Sequence, residues 1–434
     1  MKKKFKYLVF LMPLLFFSSV NYSVKANNKN TLDKVTVVEL EDKDYPTFSL
    51  IKKKSRTKTI GKISAFNFDR LNRINRNYKD NRYKPGVSLE ANQSIVPLNI
   101  GRGGADGQHH ITSLVQSDSR PKKATAKESI TSSKPYIAVG RIFSVTNNIA
   151  TECSGALIGK AVVATSAECI AEFGGAVADE VWFTPAATSN LELGDGPLGM
   201  WKAKKLYIPA CFTAGNCRNI SNSGITLYDN DIALFTLRKK GGRTPFDMGG
   251  TYLNYGWNHY GFAYTGIIFR QELFSTIFTT LGYPSGLGDN SRNLGGSMIK
   301  TDSIIYLIGS YMGDGEDELM HYMWGSGQPE ASGSPAIVNF GFKPTYGDSN
   351  YPGRFTRPNV VVGIQSSPLI EGGGHLKRHI ANGSIFGQNS SFPNSKYKDK
   401  SGRNWGAGNI GLLMRKVCGQ GYGKGQSNGI CLNR

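Results

Sequence analysis

A chain of 434 residues with a formal net charge of +20 and a pI near 9.6 has room for two cores, or for one double-layered β unit with appendages. Only 19% of the residues are charged and 52 are glycine, a balance that suits short strands joined by many turns and leaves no pattern for long amphipathic helices. The positive charge favours anionic partners such as phospholipid headgroups, acidic polysaccharide or nucleic acid, without selecting one of them.

The chain begins with Lys2, Lys3, Lys4 and Lys6, followed by an apolar run over residues 7–17 and by Val24-Lys25-Ala26, with small residues at the two key positions. This pattern predicts a secretory signal peptide cleaved near Ala26, and hence a secreted or periplasmic protein. A transmembrane anchor needs about 20 apolar residues, and the run is too short for one. Export into an oxidising compartment predicts that the six cysteines pair. They fall into three local couples: Cys153 with Cys169, Cys211 with Cys217, and Cys418 with Cys431. None has the C-x2-C spacing or the neighbouring histidine of a zinc site, so no metal and no cofactor is predicted.

Residues 27–134 are polar and basic, with "IKKKSRTK", "RLNRINRNYKDNRYK" and "RPKKATAKES" separated by short apolar runs such as "DKVTVVEL". They read as a propeptide-like segment or linker that attracts anionic surfaces; no specific nucleic-acid binding is predicted. His109 and His110 lack the spaced carboxylates a metal site needs and read as a flexible loop.

At Pro135 the texture changes. "YIAVGRIFSV", "ECSGALIG", "AVVATSA", "EVWFTP", "KAKKLYIP" and "DIALFTL" read as six strands of a first β unit, residues 135–245. "FSTIFTTLGYP", "GGSMIKTDSIIYLIGSYM", "LMHYMW", "SPAIVNF" and "NVVVGIQSS" read as strands of a second unit, residues 246–434, with insertions and a disulfide-bounded C-terminal tail. No fixed-period repeat supports a propeller or solenoid.

Four separated blocks, in this order, resemble the chymotrypsin-like serine peptidases, and more closely their bacterial glutamyl-endopeptidase type. "CSGALIGKAVVATSAEC" is similar to the block in which a disulfide pins the catalytic histidine. "YDNDIALFTL" is similar to the block carrying the buried aspartate, here Asp231. "LGYPSG" resembles a Gly-Tyr-Pro turn of the bacterial branch, and "ASGSPAIV" the nucleophile block, with the serine at Ser332; "VVVGIQSS" matches the strand that follows. The resemblance covers about residues 135–367 and implies an all-β fold: two antiparallel six-stranded barrels, with a protein or peptide bound in the cleft between them.

The resemblance also exposes two departures. Acyl transfer through serine needs a base beside the hydroxyl, a group that orients the base, and N–H donors aimed at the oxyanion. Ser332 supplies the hydroxyl and Asp231 the orienting group, but the base position holds Glu168. Imidazole accepts a proton at one nitrogen while donating from the other, and an ionised carboxylate does not. Two facing carboxyls predict a coupled pair with one pKa raised, read here as a protonated Glu168 hydrogen-bonded to Asp231. In the oxyanion loop, Glu330-Ala331-Ser332, a glutamate replaces the family's glycine two residues before the serine. The leading expectation is a peptidase homologue that no longer hydrolyses and acts as a binding module. The alternative is an active endopeptidase using Ser332 with Glu168 itself, or with a relocated histidine (His259, His321, His375 or His379), as base. The acidic run "GDGEDE" lacks the regular spacing of a calcium loop and reads as a hairpin turn.

Overall fold

The computed structural model describes residues 34–42, 52–53, 96–100, 111–114, 133–187, 196–222, 225–257, 268–269, 273–274, 277–283, 298–308, 321–324, 331–341, 357–366, 369–371, 378–389, 391–394, 396–419 and 429–431. The apolar run near the N-terminus, His109, His110, His259, Glu330, His375 and the "GDGEDE" run lie outside them.

The first segment with described structure is β1, Val35–Glu39. The six runs read as a first β unit are all strands: β2 (Val139–Thr146), β3 (Ile149–Gly159), β4 (Val162–Thr165), β5 (Glu180–Pro185), β6 (Trp201–Pro209) and β7 (Ala233–Leu237). The chemistry of the turns sets their register. Between β2 and β3 the two-residue loop Asn147-Asn148 has φ of 50° and 59°. Asparagine tolerates this left-handed backbone, and its twist matches that of the flanking strands, so Thr146 falls opposite Ile149 and Ile142 opposite Cys153. β2 pairs with β5, β3 with β4, β4 with β7, β7 with β6 and β6 with β5. The ring closes as a six-stranded antiparallel barrel filled by Ile142, Leu157, Val163, Phe183, Trp201, Leu206 and Phe235, all under 2% exposed.

The second unit closes in the same way. β8 (Ile277–Gly282), β9 (Ile299–Ile308), β10 (His321–Trp324), β11 (Pro335–Val338), β12 (Val360–Gln365) and β13 (Arg378–Ile385) form a ring. Its pairings are β11–β8, β8–β9, β9–β10, β10–β13, β13–β12 and β12–β11, all antiparallel. Five of these strands are legible as apolar runs. β13, "RHIANGSI", is not, because Asn382 and Gly383 interrupt its alternation. His379, one of the candidate relocated bases, stands in this barrel strand.

All three cysteine couples are disulfides: Cys153–Cys169, Cys211–Cys217 and Cys418–Cys431. Among the described residues the longest helix, α1 (Gly408–Cys418), follows the second barrel in the chain but packs on β1, β6 and β7 of the first. The tail beyond it returns to the same barrel, where the carbonyl of Ile430 accepts the N–H of Ala161. No helix among the described residues is long and apolar enough to cross a membrane.

Candidate active site

β4 ends at Thr165, and a single 3-10 turn, Ala167–Cys169, follows. The Cys153–Cys169 disulfide fastens this turn to β3 at a Cα separation of 6.0 Å. Glu168 is thereby held at the rim, half-buried, between the buried Ala167 and Cys169. Its main-chain N–H donates to Oδ1 of Asp231 at 2.9 Å.

Asp231 sits between a turn and β7 and is wholly buried. Three elements hold its backbone there. Asn230, at φ 63°, supplies the tight turn, and its Oδ1 accepts from the side-chain amide of Asn409 on α1 at 3.0 Å. From the second barrel, Ser384 on β13 accepts the N–H of Asp231 at 2.9 Å through its hydroxyl. The carboxylate is thus fixed by both barrels and by the C-terminal helix.

The loop 331–334 presents Ser332, which is 5% exposed. The hydroxyl of Ser334 closes it on the carbonyl of Ala331 at 2.6 Å. Gly333 donates to the carbonyl of Gln365, and the carbonyl of Ser332 accepts the N–H of Ser154, both at 2.8 Å. Ser154 is the hub of this corner: its hydroxyl accepts the N–H of Tyr283 at 2.8 Å, and its carbonyl accepts the hydroxyl of Thr165 at 2.8 Å. "CSG", "GYP" and "ASGSP", far apart in sequence, therefore meet at one residue, and "GIQS" joins them through Gly333. Cys153 precedes Ser154 and is bonded to Cys169, next to Glu168. The expected base, orienting and nucleophile positions are joined by a short chain of covalent and hydrogen bonds.

The second carboxylate oxygen of Asp231, Oδ2, is buried without a hydrogen-bond partner, and so is the hydroxyl of Ser366, just past β12. The two face each other, close enough for the hydroxyl to draw the Asp231 pKa down. An imidazole at position 168 would donate its ring N–H into this position; Glu168 has no such donor when ionised. Burial, with the charge of Glu168 second, pushes the Asp231 pKa up to about 7, against the hydroxyl of Ser366 and the N–H groups of Glu168 and Ala167. The Asp231 carboxyl is thus a group whose pKa is raised. The reason is depth, because Asp231 has no solvent to stabilise its charge. Protonation would also turn the unpartnered Oδ2 into a donor.

A stability signature follows. The native state binds more protons at this carboxyl than the unfolded chain does between its ordinary 3.8 and about 7. Its contribution is full below that window and lost as pH rises through it. Asp231→Asn is expected to flatten this part of a Tm-against-pH profile and to raise Tm at pH 8 by several degrees; a profile parallel to the parent's would contradict the assignment.

Of the four other histidines considered as bases, His321 and His379 lie in strands, on β10 and β13. His321 is in register opposite Ser384, on the side of Asp231 that contacts its main chain. Residues 331–334 are in place, whereas Glu330 lies outside the described residues. Sequence reading did not single out Ser154, Ser366, Ser384 or Asn409. The first two stand inside quoted blocks, and the last two carry no local signal.

Two closed six-stranded antiparallel barrels, with a disulfide-pinned turn bonded to a buried aspartate, define a chymotrypsin-like fold. No family model and no curated protein matches the chain. Among solved structures, it is similar to a thermostable serine protease from an extremophilic microorganism, at 19% identity over 58% of this chain and 92% of that one, with a TM-score of 0.40. The protease Anisep from Arthrobacter nicotinovorans is also 19% identical, over 58% of this chain and 91% of that one, with a TM-score of 0.38. A Glu endopeptidase shows 15% identity over 59% of this chain and 88% of that one, with a TM-score of 0.34.

Proposed function

We propose that this protein is a secreted serine-peptidase homologue, derived from the glutamyl-endopeptidase type, that does not hydrolyse peptides and binds a protein or peptide in the cleft between its barrels. One observation carries the reading. At the base position Glu168 contacts Asp231 through its main-chain N–H, while Asp231 Oδ2 and the Ser366 hydroxyl, where an imidazole would complete the network, stay buried and unpartnered. Without a two-sided proton shuttle, Ser332 keeps its proton at neutral pH, and the leaving amine receives none. Glu330 adds a carboxylate two residues before Ser332 in sequence, where a developing negative charge would be opposed.

The test uses the protein produced from residue 27. A fluorophosphonate probe is expected to leave Ser332 unlabelled over hours, and casein and mixed peptide substrates to remain intact. Rapid labelling, with hydrolysis abolished by Ser332→Ala, would overturn the proposal; loss of that activity in Glu168→Gln would then identify the carboxylate as the base.

A further inference from the structure

β6, nine residues long, is shared unequally. β7 pairs along one side of it, from Ala203 to Tyr207. On the other side, β5 pairs only with Trp201 and Lys202, and beyond that point the barrel alone would leave the edge open. β1 fills this seam. It runs antiparallel to β6, with Val35 opposite Pro209 and Glu39 opposite Lys205. Main-chain bonds extend the pairing at both ends: the N–H of Ala210 donates to Lys34 and that of Leu40 to Lys204, at 2.8 and 2.9 Å.

The side chains of the segment are built in as well. Val35 and Leu40, 6% and 5% exposed, belong to the same apolar core as β6, β7 and α1. Thr36 shares a hydroxyl hydrogen bond of 2.7 Å with Thr213. Arg238, at the end of β7, donates to the carbonyl of Leu40 and pairs with Asp42 at 3.2 Å. Lys34 reaches the carbonyl of Ser391 at 2.7 Å. The ion pairs are exposed and contribute little. The continuous ladder and the two buried apolar anchors hold the segment, and removing it would uncover an unpaired strand edge.

We infer that residues 34–42 are a permanent strand of the first barrel, so that cutting the chain between Asp42 and Pro135 leaves them bound and yields a two-chain protein. The edge of β6 is thus a strand-acceptor site whose occupant is this chain's own "KVTVVELED". This inference is independent of whether Ser332 is reactive.

The test inserts a site-specific protease sequence between Asp44 and Tyr45 in the protein produced from residue 27. After cleavage under native conditions, the N-terminal peptide is expected to co-elute with the remainder at the mass of one chain and to separate only in denaturant. In the same chain carrying Val35→Asp and Leu40→Asp, it should separate without denaturant. Release of the peptide from the parent sequence under native conditions would overturn the inference, as would resistance of the site to cleavage. Elution of the cut protein at twice the mass would show the strand passing between copies and would also overturn it.

Discussion

Glu168→His combined with Glu330→Gly is expected to give a protein that fluorophosphonate labels at Ser332 and that cleaves peptides, with rates at least about a thousandfold above those of the parent. Loss of a triad member costs on the order of 10⁴ to 10⁶ in rate, and loss of an oxyanion donor about 10² to 10³, so neither single change should recover as much as the pair. The rest of the corner is already assembled. The disulfide between Cys153 and Cys169 holds the turn, and Asp231 Oδ2 and the Ser366 hydroxyl wait without partners. An imidazole at position 168 would donate to that oxygen, keep Asp231 ionised and leave its other nitrogen for the Ser332 proton. Activity should therefore rise with pH as the new histidine loses its proton, about pH 6.5 when unperturbed, and vanish on adding Ser332→Ala. Stability should move in the unusual direction for a gain of activity. Satisfying a buried acceptor is worth about 1–3 kcal/mol, so Glu168→His should melt a few degrees above the parent. A double variant that folds but stays inert would refute the assignment of position 168.

Gly333→Ala is expected to be among the most destabilising single substitutions in the protein, at about 3–5 kcal/mol, the sum of a left-handed backbone penalty and a steric one. Gly333 has φ +84°, and a Cβ there would run into the carbonyl oxygen of Ser154 and the hydroxyl of Thr165. Both are fixed: that carbonyl accepts from Thr165, and the N–H of the same residue holds the Ser332 carbonyl. The loop would have to leave β3 to make room, uncoupling the two barrels at their hub. Gly241→Ala is the matched control. It too has a positive φ, +54°, but nothing lies within 4 Å of the new Cβ, so only the backbone penalty of about 1–2 kcal/mol applies. Chemical denaturation of the two variants separates the effects, and equal costs would show that the packing of Gly333 on Ser154 is unimportant.

Several parts of this structure are legible in the sequence because their signals are local. The six strands of the first barrel announce themselves as apolar runs between turn residues, and Asn147-Asn148 marks its own hairpin. The disulfides follow from cysteines that lie close in sequence. The oddity of Glu168 is visible at once, because the letters around it keep the pattern that it breaks. β13 escapes detection since an asparagine and a glycine interrupt it, its place in the barrel being secured by pairing with β10 and β12 on either side. β1 is visible as "DKVTVVEL" inside a basic stretch, but an isolated five-residue strand has no stability of its own, and nothing local says that it belongs to a barrel beginning a hundred residues later.

The sequence by itself determined the strand runs, the cysteine couples and the candidates Glu168, Asp231 and Ser332 for one site. Only the tertiary structure decided how these act on one another. The raised pKa of Asp231 depends on depth, and depth is a property of the closed barrel, in which Asp231 is wholly buried. Ser154 joins three blocks, Ser366 faces Asp231, and α1 returns to the first barrel through contacts between residues far apart in the chain. Periodicity and spacing report which face of an element is apolar; they carry no record of which other element will cover it.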